Sequence, residues 1–364
     1  MSKFLKRDFR AAYIMLGNSC NMNCKYCLQH SLVHNSIDTE INPDVIDFLC
    51  ELAYERKPEK FPIVFFGGEP LLYFNAIKKL TEILSAKYYL NFDFRIITNG
   101  KAITAEIVKF FNRYKFRVVV SYDGCNTVAT RNYDIFQNEK RKTDILAIDD
   151  LCLSGVVSAY TYPSEILSSF QKLSDEYFLI HGYHLGVNLD TVFDTGLPNR
   201  DLLQFDYKRL TREVKSIINQ VHFEAVNGIY NPEHACQNNF VFNEVSKCAR
   251  LQELEKDEWF NTCRCTNGIN IINIDLEGKL YGCHNTSTNI GSIYDSYPTY
   301  IEKVLNNDNA KEIKNKCSQC NARYWCWSCK MVDNEHKEGA VCKVKKAFYK
   351  PFYEYITTGG ANIC

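Results

Sequence analysis

Three cysteines fall within eight residues, in the stretch Cys20-Asn21-Met22-Asn23-Cys24-Lys25-Tyr26-Cys27. Thiolates are the usual ligands of iron–sulfur clusters, and three at this spacing can wrap one corner of a cube. A 4Fe–4S cube has four irons, so three local thiolates leave one iron open to another ligand. A structural zinc site is the alternative. Zinc favours paired C-x2-C units that total four ligands, and this triplet has no close fourth. Eight more cysteines lie between residues 263 and 342: Cys263, Cys265, Cys283, Cys317, Cys320, Cys326, Cys329 and Cys342. Their C-x2-C pairs also suit zinc.

The elements that must position these thiols follow a repeated order. The first cysteine loop begins where the apolar run Tyr13-Ile14-Met15-Leu16 ends in Gly17-Asn18, a strand entering a loop. Asn42 can cap a helix and Pro43 suits its first position, with an apolar stripe behind them. Phe61–Phe66 reads as a buried strand ending in Gly67-Gly68-Glu69-Pro70, followed by a helix through Ile77, Leu80, Ile83 and Leu84. A third strand, Phe92–Ile97, stops at Thr98-Asn99-Gly100, and Thr104 opens the next helix. The fourth strand, Arg117–Tyr122, ends in Asp123-Gly124. A fifth is expected at Val156–Tyr162 and a sixth near His184–Leu189. Strand and helix in alternation mean parallel βα units, and about six fit. The predicted fold is α/β, a partial (β/α)6 TIM-like barrel over residues 1–200, with candidate site residues just past the strand ends. Residues 201–262 form a bridge, helical to about 230 and polar and irregular over 231–262. Ile271–Tyr281 alternates and turns like a β-hairpin within a C-terminal domain, 263–364.

Composition narrows the function class. The 364 residues carry 43 Lys+Arg and 43 Asp+Glu, so no net charge draws the chain to nucleic acid or to an anionic membrane. No apolar run approaches the roughly 20 residues needed to span a bilayer. The N-terminus lacks the apolar core of a signal peptide, which predicts a cytoplasmic protein. Seventeen cysteines in a long chain without an export signal point to reduced thiols at metal sites rather than to a disulfide scaffold.

The first motif resembles that of the radical S-adenosylmethionine (SAM) enzymes, C-x3-C-x-aromatic-C, with Tyr26 at the aromatic position. That resemblance implies a 4Fe–4S cluster on Cys20, Cys24 and Cys27 whose open iron is chelated by SAM. One electron from the cluster then splits SAM into methionine and a 5′-deoxyadenosyl radical, which takes a hydrogen atom from the substrate. Gly67, Gly68, Glu69 and Pro70 match the family's GGEP motif, where the carboxylate of Glu69 is expected to meet the amino group of SAM. Ser121 stands where the family often sets a hydroxyl against the SAM carboxylate. Arg131 or Arg141 is a candidate to neutralise that carboxylate, and Asn99 is a further candidate contact.

The C-terminal cysteines resemble the SPASM domain, an extension that holds two auxiliary 4Fe–4S clusters, three clusters in all. Gly278-Lys279-Leu280-Tyr281-Gly282-Cys283 gives that domain's G-x4-C, and Cys317-x2-Cys320-x5-Cys326 with Cys342 continues it. Cys326-Trp327-Ser328-Cys329 is one residue shorter than the usual C-x3-C. The resemblance assigns Cys265, Cys283 and Cys329 to the first auxiliary cluster, and Cys317, Cys320, Cys326 and Cys342 to the second. Cys263 is the nearest candidate for a fourth ligand of the first, with Cys248 and Cys236 behind it. Cys50, Cys125 and Cys152 read as buried small hydrophobes.

Such enzymes mostly modify peptides or proteins. The expected activity is oxidative crosslinking within a ribosomally made precursor peptide, through a thioether or a carbon–carbon bond. The alternative is a sulfatase-maturating, formylglycine-forming enzyme. Those carry an aspartate after the G-x4-C cysteine, where this chain has His284, the candidate catalytic residue here. A non-catalytic iron–sulfur carrier or scaffold has no use for a GGEP motif. Expected partners are the peptide and an electron donor such as flavodoxin or ferredoxin. About a dozen residues precede the first strand, so a leader peptide is expected to dock on the chain itself or on a separate leader-binding protein.

Overall fold

The computed structural model describes residues 3–5, 9–29, 40–193, 200–254, 268–285, 288–305, 320, 322, 325–326 and 339–359. The expected boundary at 262/263 lies outside them, as do Cys263, Cys265, Cys317, Cys329 and Cys364.

The barrel half alternates as predicted. It runs β1 (Ala11–Met15), α1 (Pro43–Glu55), β2 (Phe61–Phe66), α2 (Phe74–Ser85), β3 (Phe92–Thr98), α3 (Ala105–Arg113) and β4 (Arg117–Ser121). A short helix α4 (Thr127–Arg131) and α5 (Glu139–Leu146) lead to β5 (Asp150–Val157), α6 (Pro163–His181) and β6 (Gly186–Thr191). Neighbouring strands from β1 to β6 all pair in parallel. Local signals set the helix starts: Asn42 accepts the amide of Asp44 at 3.0 Å, and Pro43 takes the first position where no amide is needed. On each strand one face is buried under helices, while residues such as Tyr13, Ser121, Ser154 and Asn188 stay partly open on the other, inner face.

Two strands sit elsewhere than expected. The fifth is Asp150–Val157 rather than Val156–Tyr162, and the sixth is Gly186–Thr191 rather than His184–Leu189. The β-rich run after Val157 turns at once, with Ser158 and Thr161 exchanging backbone hydrogen bonds at 3.1 Å. Tyr162 then precedes α6, its amide donating to Glu165 at 2.7 Å. In the true strand the inner residue Ser154 and the neighbouring Gly155 masked the apolar signal. A Cβ on Gly155 would lie 2.8 Å from the Ile166 side chain, so helix α6 requires the glycine.

Within 231–262, expected to be irregular, residues 235–254 instead form a 20-residue helix α8 (Ala235–Leu254) that follows α7 (Tyr207–Val226), and 255–262 lie outside the described residues. The polarity of α8 has a structural use. β6 is the open edge of the sheet, and an edge leaves backbone groups to be satisfied. The amide of Val187 donates to Asn239 at 3.0 Å, and Asn243 donates to the Val187 carbonyl at 2.9 Å. Helix α8 therefore meets the edge at Val187 with side-chain amides, beside the apolar residues Phe240 and Val241 that it buries.

The hairpin forms as β7 (Ile271–Asp275) and β8 (Lys279–Tyr281), followed by β9 (Asn289–Ser292), α9 (Tyr297–Leu305) and α10 (Ala340–Thr358). β7 pairs in parallel with β1, Ala11 to Ile271 through Met15 to Asp275. One nine-stranded sheet results, ordered β6-β5-β4-β3-β2-β1-β7-β8-β9. No helix among the described residues is long and apolar enough to cross a membrane. Helix α10 seals the β6 end, with Phe348 and Phe352 buried against Phe240 of α8.

Replacing Asn239 by Leu removes the acceptor for the Val187 amide. An unmet buried donor costs about 1–3 kcal/mol. Urea unfolding should show a lower midpoint with an unchanged slope.

Candidate active site

The cysteine loop leaves β1 at Leu16 and is held by backbone contacts to the turn after β2. Leu16 donates to Phe66 at 2.9 Å, Gly68 to Gly17 at 2.9 Å, and Glu69 to Ser19 at 2.8 Å. A Cβ on Gly67 would lie 2.4 Å from the Gly17 oxygen, and one on Gly68 equally close to the oxygens of Asn18 and Ser19. The paired glycines thus let the loop's own backbone approach, and the close approach is chain on chain.

Glu69 is fully buried and its carboxylate is already engaged. Oε1 accepts Thr98 Oγ1 at 2.6 Å and the Leu71 amide at 3.0 Å, and Oε2 accepts the Asn99 amide at 2.7 Å. Burial raises its pKa, against the pull of these hydrogen bonds. The group expected to meet an ammonium bridges the ends of β2 and β3. Pro70 starts the short turn that Glu69 caps. Asn99 completes the link, its Nδ2 donating to Asn21 Oδ1 at 2.8 Å and lying 3.7 Å from Cys20 Sγ.

On the far side the loop rests on α4. The amide of Lys25 donates to the Thr130 carbonyl at 2.9 Å, and Asn132 donates to the Asn23 carbonyl at 2.6 Å. The central group here is Asp123, fully buried, which sequence reasoning passed over as a strand-ending turn. It accepts Tyr26 Oη at 2.5 Å, Thr130 Oγ1 at 2.7 Å and the Val156 amide at 2.9 Å. Arg131, also buried, lies 3.2 Å from its carboxylate, 5.4 Å from the centre of the Tyr26 ring, and 3.9 Å from Cys24 Sγ. The available signal was an Asp directly after a strand, one helical segment before an Arg.

Burial pushes the Cys24 thiol up to about 11, while Arg131 pulls it back; Cys20 and Cys27 are also raised by burial. Burial disfavours the charged guanidinium as well, yet Asp123, Tyr26 and Cys24 hold its pKa above the ordinary value. A cation acting on the Cys24 and Cys27 thiols favours their thiolate forms. Among the described residues no three Cys, His, Asp or Glu are arranged to hold a single metal ion. The donor set, three thiols on one loop beside a buried guanidinium, fits a thiolate-ligated cluster instead.

Ser121 ends β4 on the inner face, in register with Ser154, whose Oγ accepts Asn188 at 3.0 Å. Of the two candidate arginines the fold brings in Arg131 alone. Arg141, on α5, donates to Tyr133 Oη at 2.7 Å instead.

His284 reaches the barrel interior from the C-terminal half. Its ring stacks on Tyr13 at 4.7 Å and meets Phe66 edge-on at 4.5 Å. Burial lowers its pKa to about 4, so the imidazole is neutral near pH 7. Gln29, two residues past Cys27, donates to the His284 carbonyl at 3.1 Å. The first cysteine loop and the buried Cys283 are therefore tied together. Cys320 and Cys326 are partly buried against the core, and Cys342 is in the first turn of α10. Cys236 and Cys248 are core residues whose thiols burial pushes up to about 12. Cys125 is exposed, contrary to the expectation of a buried hydrophobe.

Two outcomes follow from this geometry. Glu69→Ala should lower bound iron per chain, because Asn99 loses its anchor beside Cys20; unchanged iron would confine Glu69 to ligand contact. Asp123→Asn should destabilise the fold by about 3–5 kcal/mol, because Arg131 is left a buried unpaired cation. Adding Arg131→Met should recover part of that loss, read as a denaturation midpoint.

Residues 14–141 match the model of the Radical SAM superfamily. The radical SAM cyclopropyl synthase TigE of Paramaledivibacter caminithermalis is 24% identical over 313 residues, 79% of this chain and 60% of that protein. A cysteine-type anaerobic sulfatase-maturating enzyme of Clostridium novyi is 25% identical over 135 residues, 34% of each chain. The matches thus span from about a third to three-fifths of these relatives. Among solved structures, native anSMEcpe with bound AdoMet aligns with TM-score 0.64 at 18% identity, over 97% of this chain and 100% of that one. Streptococcus suis SuiB bound to precursor peptide SuiA aligns with TM-score 0.53 at 14% identity, over 88% and 72%. Residues 14–141 thus carry a segment similar to the Radical SAM superfamily, in a chain that shares its fold with anSMEcpe and SuiB.

Proposed function

We propose that this chain is a radical SAM peptide maturase that forms an oxidative crosslink, thioether or carbon–carbon, within a ribosomally made precursor peptide. The observation that carries this over formylglycine formation is His284. The position after the G-x4-C cysteine, an aspartate in sulfatase-maturating enzymes, here holds a neutral imidazole stacked on Tyr13 and edge-on to Phe66. No carboxylate stands at that position in this chain. Support for a peptide substrate comes from the fold shared with SuiB, solved with its precursor peptide.

Cys20, Cys24 and Cys27 would hold a 4Fe–4S cluster, which together with SAM would supply the radical chemistry for hydrogen abstraction. The chain's own residues then have separate duties. Gly67, Gly68 and Glu69 fix the thiols, Arg131 offsets their charge, and Ser121 with Asn188 offers polar contacts on the inner wall. Two auxiliary clusters, on Cys283, Cys320, Cys326 and Cys342 with Cys265, Cys317 and Cys329, would take the electron left on the product radical. Cys263 is the candidate for the remaining ligand. The second reading, sulfatase maturation, is favoured by the full-length alignment with anSMEcpe.

Anaerobic reconstitution should load about twelve irons per chain, and replacing Cys20, Cys24 and Cys27 by Ala should remove about four and abolish SAM cleavage. Mass spectrometry of a co-expressed candidate peptide decides between the readings. Crosslinking removes a pair of hydrogens per bond and leaves no carbonyl. A product that captures a hydrazine reagent is an aldehyde, and the crosslinking proposal then fails.

A further inference from the structure

Helices α7 and α10 lie side by side. Thr211 donates to the Ala347 carbonyl at 3.2 Å, and His222 meets Tyr355 at 3.2 Å. Along the outside of this seam run two rows of cations. Lys208, Arg212 and Lys215 are spaced four and three apart on α7, and Lys343, Lys346 and Lys350 three and four apart on α10. Such spacings put each row on one helix face. Glu354 contacts both Lys215 at 3.1 Å and Lys350 at 3.3 Å, which sets the two rows on the same side of the seam.

The other carboxylate nearby, Asp206, is the cap of α7 and already accepts the amides of Lys208 and Arg209 at 3.0 and 2.9 Å. Among the described residues, Asp206 and Glu354 are thus the two carboxylates set against these six cations. The whole chain has equal numbers of each sign, so this face is segregated charge rather than general excess. The α7 side opens into a groove of about 850 Å³, where Thr211, Ser216, Asn219 and Gln220 add hydrogen-bonding side chains between the cations.

We propose that this groove docks an acidic segment of the peptide on which the chain acts. The proposal rests on the peptide-maturase reading and adds where, and by what chemistry, the substrate is held outside the barrel. The basic groove, lined along α7 from Tyr207 to Gln220, is about 20 Å long, enough for about six extended residues. Its hydroxyl and amide side chains suit a peptide backbone, and its lysines and arginine suit Glu or Asp side chains. Single-stranded nucleic acid needs a series of stacking aromatics, and Tyr207 alone lines the groove among the described residues.

The test is fluorescence anisotropy of the full chain with a labelled twelve-residue peptide carrying five Glu, and with its Gln counterpart. The acidic peptide should bind at least tenfold more tightly, with an advantage that shrinks as salt rises. Lys208→Glu with Arg212→Glu, and separately Lys343→Glu with Lys346→Glu, should each weaken binding at least tenfold. The same pairs changed to Gln should weaken it less. Reversing Lys78 and Lys79 on α2 should change nothing. Unchanged binding in the groove variants overturns the proposal, as does an equal loss in the α2 variant. A uridine dodecamer that binds more tightly than the acidic peptide also overturns it. SAM cleavage and product mass are read separately. Peptide binding without a crosslinked product sinks the maturase reading and leaves the groove standing. Undiminished crosslinking by the groove variants does the reverse.

Discussion

The amide of Gly68 donates to the carbonyl of Gly17, and the next amide, Glu69, donates to Ser19, across a gap with no space for a Cβ. This contact locks the loop that carries Cys20, Cys24 and Cys27 to the end of β2. Three thiols can share one cluster only if their backbone is held, since a free loop would have to give up its conformational entropy on binding. Glu69 extends the lock to β3 through Thr98 and Asn99, and Asn99 returns to Asn21 beside Cys20. The strand order of the barrel is thereby converted into the position of sulfur atoms.

The opposite wall of the loop is electrostatic. Burial makes each thiolate costly, and Cys24 shows it in a pKa near 11. Arg131 is the counterweight, but a buried guanidinium is itself costly without a partner. Asp123 supplies the partner, and Tyr26, Thr130 and the Val156 amide fill its remaining lone pairs. The aromatic position of the cysteine motif thus has a second use, because Tyr26 both donates to Asp123 and lies beneath Arg131. The chain Cys24–Arg131–Asp123–Tyr26 closes on the same loop it began from.

The sheet decides how the two halves of the molecule communicate. Because β7 joins β1, the turn after β8 delivers Cys283 and His284 to the mouth of the same barrel. His284 fills the space over Tyr13 and Phe66, and Gln29 holds its carbonyl. At the other end the sheet would expose an unpaired strand. Asn239 and Asn243 satisfy the amide and carbonyl of Val187 in β6, and α10 covers the helix that carries them. One consequence is that the α7–α10 seam, with its two cationic rows, is a product of closing that edge.

Much of this was legible in the chain alone. The cysteine spacing, the Gly67-Gly68-Glu69-Pro70 turn and the alternation of apolar runs with capped helices are local patterns, set by backbone geometry and side-chain chemistry. They gave the parallel barrel and the first site. What the sequence hid was decided by neighbours distant in the chain. Ser154 and Gly155 blurred β5 because one faces the polar interior and the other admits α6. The asparagines of α8 looked like loop residues because they serve a strand edge instead of an apolar face. Asp123 is one acidic residue in a turn until the fold sets Arg131 and Tyr26 beside it. The carboxylate of Glu69 looked free to meet a ligand, and only the packing of β2 against β3 brings it three protein donors. Local sequence determined which groups exist; burial and pairing across the sheet determined what each one touches.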